Sequence, residues 1–182
     1  TLISQNHASI SYAPPFGYEL CARRVREDEV ARFDLSRWRI AGTGAEPIRP
    51  EILHRFADLL APAGFDRRAF FPSYGLAEAT LAVCFPKAGS GIQTETVDRQ
   101  CLESSGEARL CDETAEVRCS TLVNCGRVLP EHELVIRDSA GASLADGLIG
   151  RITVRGPSLM TGYHADPQHT RATLSADGWL DT

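Results

Sequence analysis

The 182-residue sequence is 43% hydrophobic, 24% charged and 7% aromatic, with 15 Gly and 10 Pro. This is the profile of a globular chain of one domain or slightly more, and it excludes disordered, fibrous and repeat architectures. The 19 Lys and Arg against 24 Asp and Glu leave a net charge of −5 without any basic block, so nucleic acid is not an expected partner. The apolar run Leu76 to Pro86, interrupted by Glu78, falls well short of the about 20 residues needed to cross a bilayer, and neither a membrane span nor a signal peptide is expected. With a single Met at Met160, a start on Thr1 and an end at Asp181-Thr182 without a stop signal, the chain reads as a piece of a longer protein.

In chain order, Leu20, Cys21, Val25 and Phe33 recur near helical spacing between Phe16 and Phe33, predicting a surface helix broken near Asp28. Trp38 to Ala41 reads as a short buried strand running into the turn-rich loop Gly42 to Pro47. Ile48, Ile52, Leu53, Phe56, Leu59 and Leu60 mark one face of an amphipathic helix. Pro50 is tolerated in its first turn, and Pro62 and Gly64 close it. Ala69 to Ser73 reads as a second strand, and Gly75 turns the chain into an apolar helix from Leu76 to Phe85 that Pro86 ends. Two successive strand-loop-helix units predict an α/β fold with a mostly parallel sheet over residues 1–88.

From 89 to 120 the chain is polar and without sustained period, an irregular connection. Beyond it, Leu122 to Asn124, Glu133 to Arg137 and Gly150 to Arg155 alternate as strands, with turn chemistry at Asp138 to Gly141. Residues 121–182 are therefore expected to form a smaller antiparallel sheet or distorted barrel. Six cysteines contain no C-x-x-C pair; Cys101, Cys111, Cys119 and Cys125 with His132 could supply a zinc site, and the alternative is reduced, mostly buried cysteines in a cytoplasmic protein. His54 reads as a solvated helix residue and Trp38 as packing.

In open α/β sheets, ligands gather beyond the carboxyl ends of strands, where Gly42 to Pro47 and Ser73 to Glu78 would sit. Tyr74 offers a ring for stacking on a base, Gly75 allows close backbone approach, and Glu78 is a hard oxygen donor suited to Mg²⁺ beside phosphate. The bland alternative makes Tyr74 a core aromatic and Glu78 a complement to a helix dipole.

PSYGLAEAT (72–80) resembles the Y-G-x-T-E motif of the adenylate-forming superfamily of acyl-CoA synthetases, luciferases and nonribosomal adenylation domains. GRITVRGPSLMTGYHADPQHT (150–170) resembles its G-E-I-x-V-x-G-x-x-x-x-x-G-Y segment, and DGWLDT at the end resembles the start of its G-W-x-x-T-G-D motif. AGTGAEPIRPE (41–51), APPFGYELC (13–21) and Ala77, where most relatives carry Thr, point more narrowly to the fatty acyl-AMP ligases.

The resemblance covers essentially the whole chain and implies ATP or AMP binding with Mg²⁺. Gly44, Ala45, Glu46 and Pro47 would enclose adenine with Ser73, Tyr74, Gly75, Leu76 and Ala77. Glu78 would be the catalytic, metal-holding residue, and Tyr12, Phe16 and Gly17 would touch the acyl chain. The implied activity is ATP-dependent activation of a long-chain fatty acid for transfer to the phosphopantetheine thiol of an acyl carrier protein or synthase module. Residues 98–120 would be an insertion that restricts a mobile C-terminal lobe and disfavours coenzyme A. The phosphate loop would precede Thr1, and the ribose-binding Asp and catalytic Lys would follow Thr182, so the isolated polypeptide is expected to be close to inactive. The alternatives are an acyl-CoA synthetase, an amino-acid adenylation domain, or a non-catalytic nucleotide-binding or docking module.

Overall fold

In the computed structural model, which describes residues 2–111 and 118–182, the chain folds as two units. One comprises Thr1–Tyr74, Cys84–Thr94 and Leu122–Arg127, and the other Gly75–Val83, Glu95–Thr121 and Val128–Thr182.

The first unit begins with a single helical turn, α1 (Leu2–Gln5), and an edge strand, β1 (Ile10–Tyr12). The expected surface helix is two: α2 (Pro15–Arg24) and α3 (Glu27–Val30). The break falls at Val25 and Arg26, both extended, rather than at Asp28. Central strand β2 (Ile40–Thr43) starts two residues later than the spacing predicted and runs two further, Gly42 pairing with Tyr12 and Phe71 and Thr43 with Pro72. Helix α4 (Pro50–Leu60) buries Leu53, Phe56, Ala57 and Leu60, the i, i+3, i+4, i+7 face that its sequence carries. Pro50 stands in its first turn and Gly64, at φ 83°, ends the 3₁₀ turn that follows. Strand β3 (Phe70–Pro72) completes a parallel sheet in the order β1-β2-β3, with Tyr12 opposite Gly42 and Gly42 opposite Phe71.

Between helices and sheet, Tyr18, Trp38, Phe56, Phe65 and Phe70 form one aromatic core, most ring pairs meeting edge to face at 5.1–6.1 Å. Trp38 is thus a packing residue, while His54 is exposed on α4.

The apolar helix expected from Leu76 to Phe85 does not form. Ala77–Ala79 make one 3₁₀ turn, Thr80 and Leu81 take left-handed φ values of 52° and 76°, and Leu81 N–H donates to the Leu76 carbonyl. The chain then returns as β4 (Cys84–Phe85), where Cys84 exchanges both backbone hydrogen bonds with Tyr74. Ten residues, eight of them apolar, are too few to display a helical period, and pairing with Tyr74 decides their fate.

The irregular connection expected over 89–120 is also corrected. It carries β5 (Thr94–Asp98) and α5 (Arg99–Ser105), and β6 (Cys119–Val123) begins at its end. Asp98 caps α5 by accepting from Gln100 and Cys101 N–H, and Gly106 at φ 68° ends it. Residues 112–117 of that stretch lie outside the described residues. Cys111 and Cys119 are joined by a disulfide and Cys21 is exposed, so the cysteines are neither all reduced nor mostly buried.

After the short β7 (Arg127–Val128), the second unit builds its main sheet from β8 (Glu133–Arg137), β9 (Arg151–Arg155) and β10 (Leu180–Asp181), with α6 (Pro167–Thr173) before the last strand. The sheet is antiparallel with β9 central, and Leu134 and Leu180 flank the fully buried Val154. Asp138 closes its turn by accepting from Ala140 and Ala142 N–H. The guanidinium carbons of Arg137 and Arg155 lie over the Trp179 ring, 4.9 and 4.8 Å from its centroid. Among the described residues, no helix is long and apolar enough to cross a membrane.

Candidate functional site

Of the residues singled out in the sequence, Tyr12, Phe16, Gly17, Gly44, Ala45, Glu46, Pro47, Ser73 and Tyr74 lie in the first unit, and Gly75, Leu76, Ala77 and Glu78 in the second. In the first unit, the sheet brings two loops together at the carboxyl ends of β2 and β3. Ser73 N–H donates to the Thr43 carbonyl at 2.8 Å, and its hydroxyl points to the same oxygen at 3.3 Å. Gly44 lies so close that a Cβ on it would sit 2.5 Å from the Ser73 carbonyl oxygen, so only glycine fits there. Ala45 follows in the left-handed region at φ 68°, a strained setting for a residue with a Cβ.

Glu46 does something its motif does not announce. Its Oε1 accepts from the Phe16 N–H at 2.8 Å, satisfying an orphan donor in the first turn of α2, where Pro14 supplies no side-chain cap. The loop is thereby tied to the start of α2, whose next residues, Gly17 and Tyr18, line an apolar cavity of about 480 Å³ together with Tyr12, Trp38 and Phe56 among others. The Tyr12 ring covers Gly42, where any Cβ would strike it. Two of the three expected acyl contacts, Tyr12 and Gly17, line this cavity, while Phe16 is 60% exposed and outside the lining. Tyr74 is half-buried and its backbone pairs with Cys84.

In the second unit, Gly75 permits the tight return of the chain: a Cβ there would fall on the Leu81 carbonyl oxygen. With no helix following, the dipole role considered for Glu78 is removed. The turn is instead held by the loop after β9. Met160 N–H donates to the Glu78 carbonyl at 2.7 Å, Ser158 Oγ to the Ala79 carbonyl at 3.1 Å, and Thr80 Oγ1 to the Ser158 carbonyl at 2.7 Å. The His132 ring spans the Pro130 carbonyl and Ser158 Oγ at 2.9 and 2.7 Å. The Tyr163 hydroxyl donates to Glu78 Oε1 at 2.7 Å. That bond, followed by the residue's own backbone N–H, holds the Glu78 carboxyl below the usual carboxylate range, and the same bond raises the Tyr163 phenol.

Glu78 is therefore an anion near neutral pH, and its partners Met160 and Tyr163 had no site role in the sequence reading, although both stand in the segment 150–170 whose motif was noted. Among the described residues, no cluster of three or more His, Cys, Asp or Glu side chains is placed to hold a metal ion. A single ionised carboxylate suits Mg²⁺, which draws most of its ligands from phosphate and water, and fits zinc poorly.

Residues 1–164 match the model of the family described as AMP-binding enzyme. A Caulobacter vibrioides protein provisionally named an acyl-CoA synthetase is 46% identical over 181 residues, covering 100% of this chain and 32% of that protein. The medium-chain-fatty-acid–[acyl-carrier-protein] ligase TtuA of Teredinibacter turnerae is 32% identical over 176 residues, covering 96% of this chain and 27% of the ligase. A solved structure from work on the fatty acyl-adenylate ligases of E. coli and L. pneumophila superposes with a TM-score of 0.93 at 51% identity, over 100% of this chain and 32% of that one. The chain thus spans 27–32% of the length of these relatives.

Proposed function

Because the chain belongs to the AMP-binding enzyme family, we propose that the full-length protein is a fatty acyl-AMP ligase, which activates a fatty acid with ATP and passes the acyl group to the phosphopantetheine thiol of a carrier protein in the cytoplasm. The observation that carries this reading is the Phe16–Glu46 hydrogen bond, which ties the loop Gly44 to Pro47 to the first turn of α2, the helix whose Gly17 and Tyr18 line an apolar cavity. An apolar chain and a nucleotide would thereby be positioned by one piece of structure.

In the reaction, a carboxylate oxygen of the fatty acid attacks the α-phosphorus of ATP, a P–O bond forms, and the bond to the departing pyrophosphate breaks. Such a step rests on alignment and charge neutralisation rather than on a covalent protein intermediate. Gly44 to Pro47, Ser73 and Tyr74 would enclose the adenine. Ala77, lacking the hydroxyl that most relatives carry, offers only its backbone N–H. Glu78 would hold Mg²⁺, which when bound offsets negative charge on the phosphates. The stretch 98–120 would serve as the insertion that disfavours coenzyme A. Coenzyme A as acceptor is the second reading, favoured by the name of the Caulobacter relative.

The test uses the full-length protein. Glu78→Ala is expected to reduce fatty-acid-dependent ATP–pyrophosphate exchange by about a hundredfold. Unchanged exchange would refute the role of Glu78, and acyl transfer to coenzyme A in preference to a carrier protein would overturn the acceptor.

A further inference from the structure

We propose that Tyr163 is a positioning residue for metal binding: by donating to Glu78 Oε1 it fixes the carboxylate so that Oε2 is the oxygen presented to the cation. The proposal deepens, and rests on, the reading that Glu78 holds Mg²⁺.

Three observations carry it. Tyr163 is 37% exposed, so burial of its ring is not what its place in the fold mainly provides, yet its hydroxyl meets a carboxylate 85 residues away in sequence at 2.7 Å. The root of the side chain is held as well as its tip. Tyr163 N–H donates to Thr170 Oγ1 at 2.9 Å, and that hydroxyl donates to the Asp166 carbonyl at 2.8 Å. Gly162, at φ 150°, leaves the space in which the Thr170 side chain sits.

The backbone carrying Glu78 is meanwhile fixed by Met160 and Ser158, from the same loop that ends in Tyr163. A Glu side chain has three rotatable bonds; bonds to its carbonyl leave the carboxylate free to turn, and the Tyr163 phenol on Oε1, with the residue's own backbone N–H, restricts that freedom. Because a phenol is neutral and engages one oxygen only, the carboxylate keeps its full negative charge for a cation. A Lys or Arg in that place would compete with it.

The experiment is a Mg²⁺ titration of fatty-acid-dependent ATP–pyrophosphate exchange by the full-length protein, comparing wild type, Tyr163→Phe, Thr170→Val and Glu78→Gln, with thermal unfolding measured on each. Tyr163→Phe keeps the ring and is expected to raise the Mg²⁺ concentration for half-maximal rate about three- to tenfold, the loss of one charge-assisted hydrogen bond. The rate at saturating Mg²⁺ and the KM for the fatty acid should stay close to wild type. Thr170→Val, which does not touch Glu78, should shift it in the same direction by less. A merely structural tyrosine would lower the unfolding temperature and leave the Mg²⁺ requirement unchanged, and that result overturns the proposal. If Glu78→Gln shifts the Mg²⁺ requirement and neither Tyr163→Phe nor Thr170→Val does, the positioning role alone falls. If Glu78→Gln leaves the requirement unchanged, the metal reading of Glu78 falls with it.

Discussion

Tyr18 allows a stability prediction whose sign reverses with pH. Its side chain is 2% exposed, its ring packs on Trp38, Phe56 and Phe70, and its hydroxyl donates to the Gly42 carbonyl at 2.9 Å. Tyr18→Phe keeps the ring contacts and removes one hydrogen bond. The acceptor is not orphaned, because Ala13 N–H still donates to the Gly42 carbonyl at 3.0 Å. At neutral pH the cost should therefore be that of a single satisfied bond, about 1 kcal/mol, and not the larger penalty of an unpaired buried group.

Burial, with smaller contributions from Cys21 and Tyr12, raises the phenol well above its ordinary value of 10.0. The folded state thus holds its proton where the unfolded chain loses it. The stabilisation is complete below pH 10 and declines as pH rises above it, by about 1.4 kcal/mol per pH unit. Set against a neutral-pH deficit of about 1 kcal/mol, this decline brings the wild type level with Tyr18→Phe near about pH 10.7. Above that pH the variant should be the more stable. Urea unfolding of both proteins from about pH 8 to about pH 11, read by tryptophan fluorescence, tests this, because other alkaline groups cancel in the difference. Two curves that stay parallel throughout would refute the argument.

Two further predictions concern packing and cross-linking. Phe70, 1% exposed among Tyr18, Phe56 and Phe65, should cost about 3–5 kcal/mol as Phe70→Ala and less than about 1.5 kcal/mol as Phe70→Leu in chemical denaturation; similar costs would mean the site collapses around the lost ring. Peptide mapping without reductant should recover Cys111 linked to Cys119 and leave Cys21, Cys84, Cys101 and Cys125 alkylatable in denaturant; a different linkage would refute that pairing.

What could be read from the residues follows from how local each signal is. Helix α4 was legible because Leu53, Phe56 and Leu60 repeat at helical spacing between a first-turn proline and a glycine stop. Strands β8 and β9 were legible because Leu134, Ile136, Ile152 and Val154 alternate. Strand β1 was not, since three residues alternating between exposed and half-buried carry no pattern of their own and are strands only because β2 pairs with them. The segment after Gly75 misled because its left-handed residues are Thr80 and Leu81, neither of which announces a turn. For the site, motif spacing placed Gly44 and Ser73, and the sheet brings them together. The partners of Glu78 and of Glu46 were invisible: Tyr163 is 85 residues from its carboxylate and Phe16 is 30 from its own, separations at which no period or motif predicts a hydrogen bond.

The tether between the 77–80 turn and the loop after β9 also has a meaning for the order of assembly. Every bond from that loop to Glu78, Ala79 and Thr80 closes about eighty residues of intervening chain, and long closures form late because their entropy must be overcome before the contact returns anything. During synthesis, Gly75 to Val83 would emerge well before its anchors and wait, unstructured or provisionally folded, until the turn holding Ser158, Met160 and Tyr163 is made. An oriented Glu78 carboxylate would then mark a chain whose second unit has closed, and a partly synthesised chain would not yet hold that side chain in place.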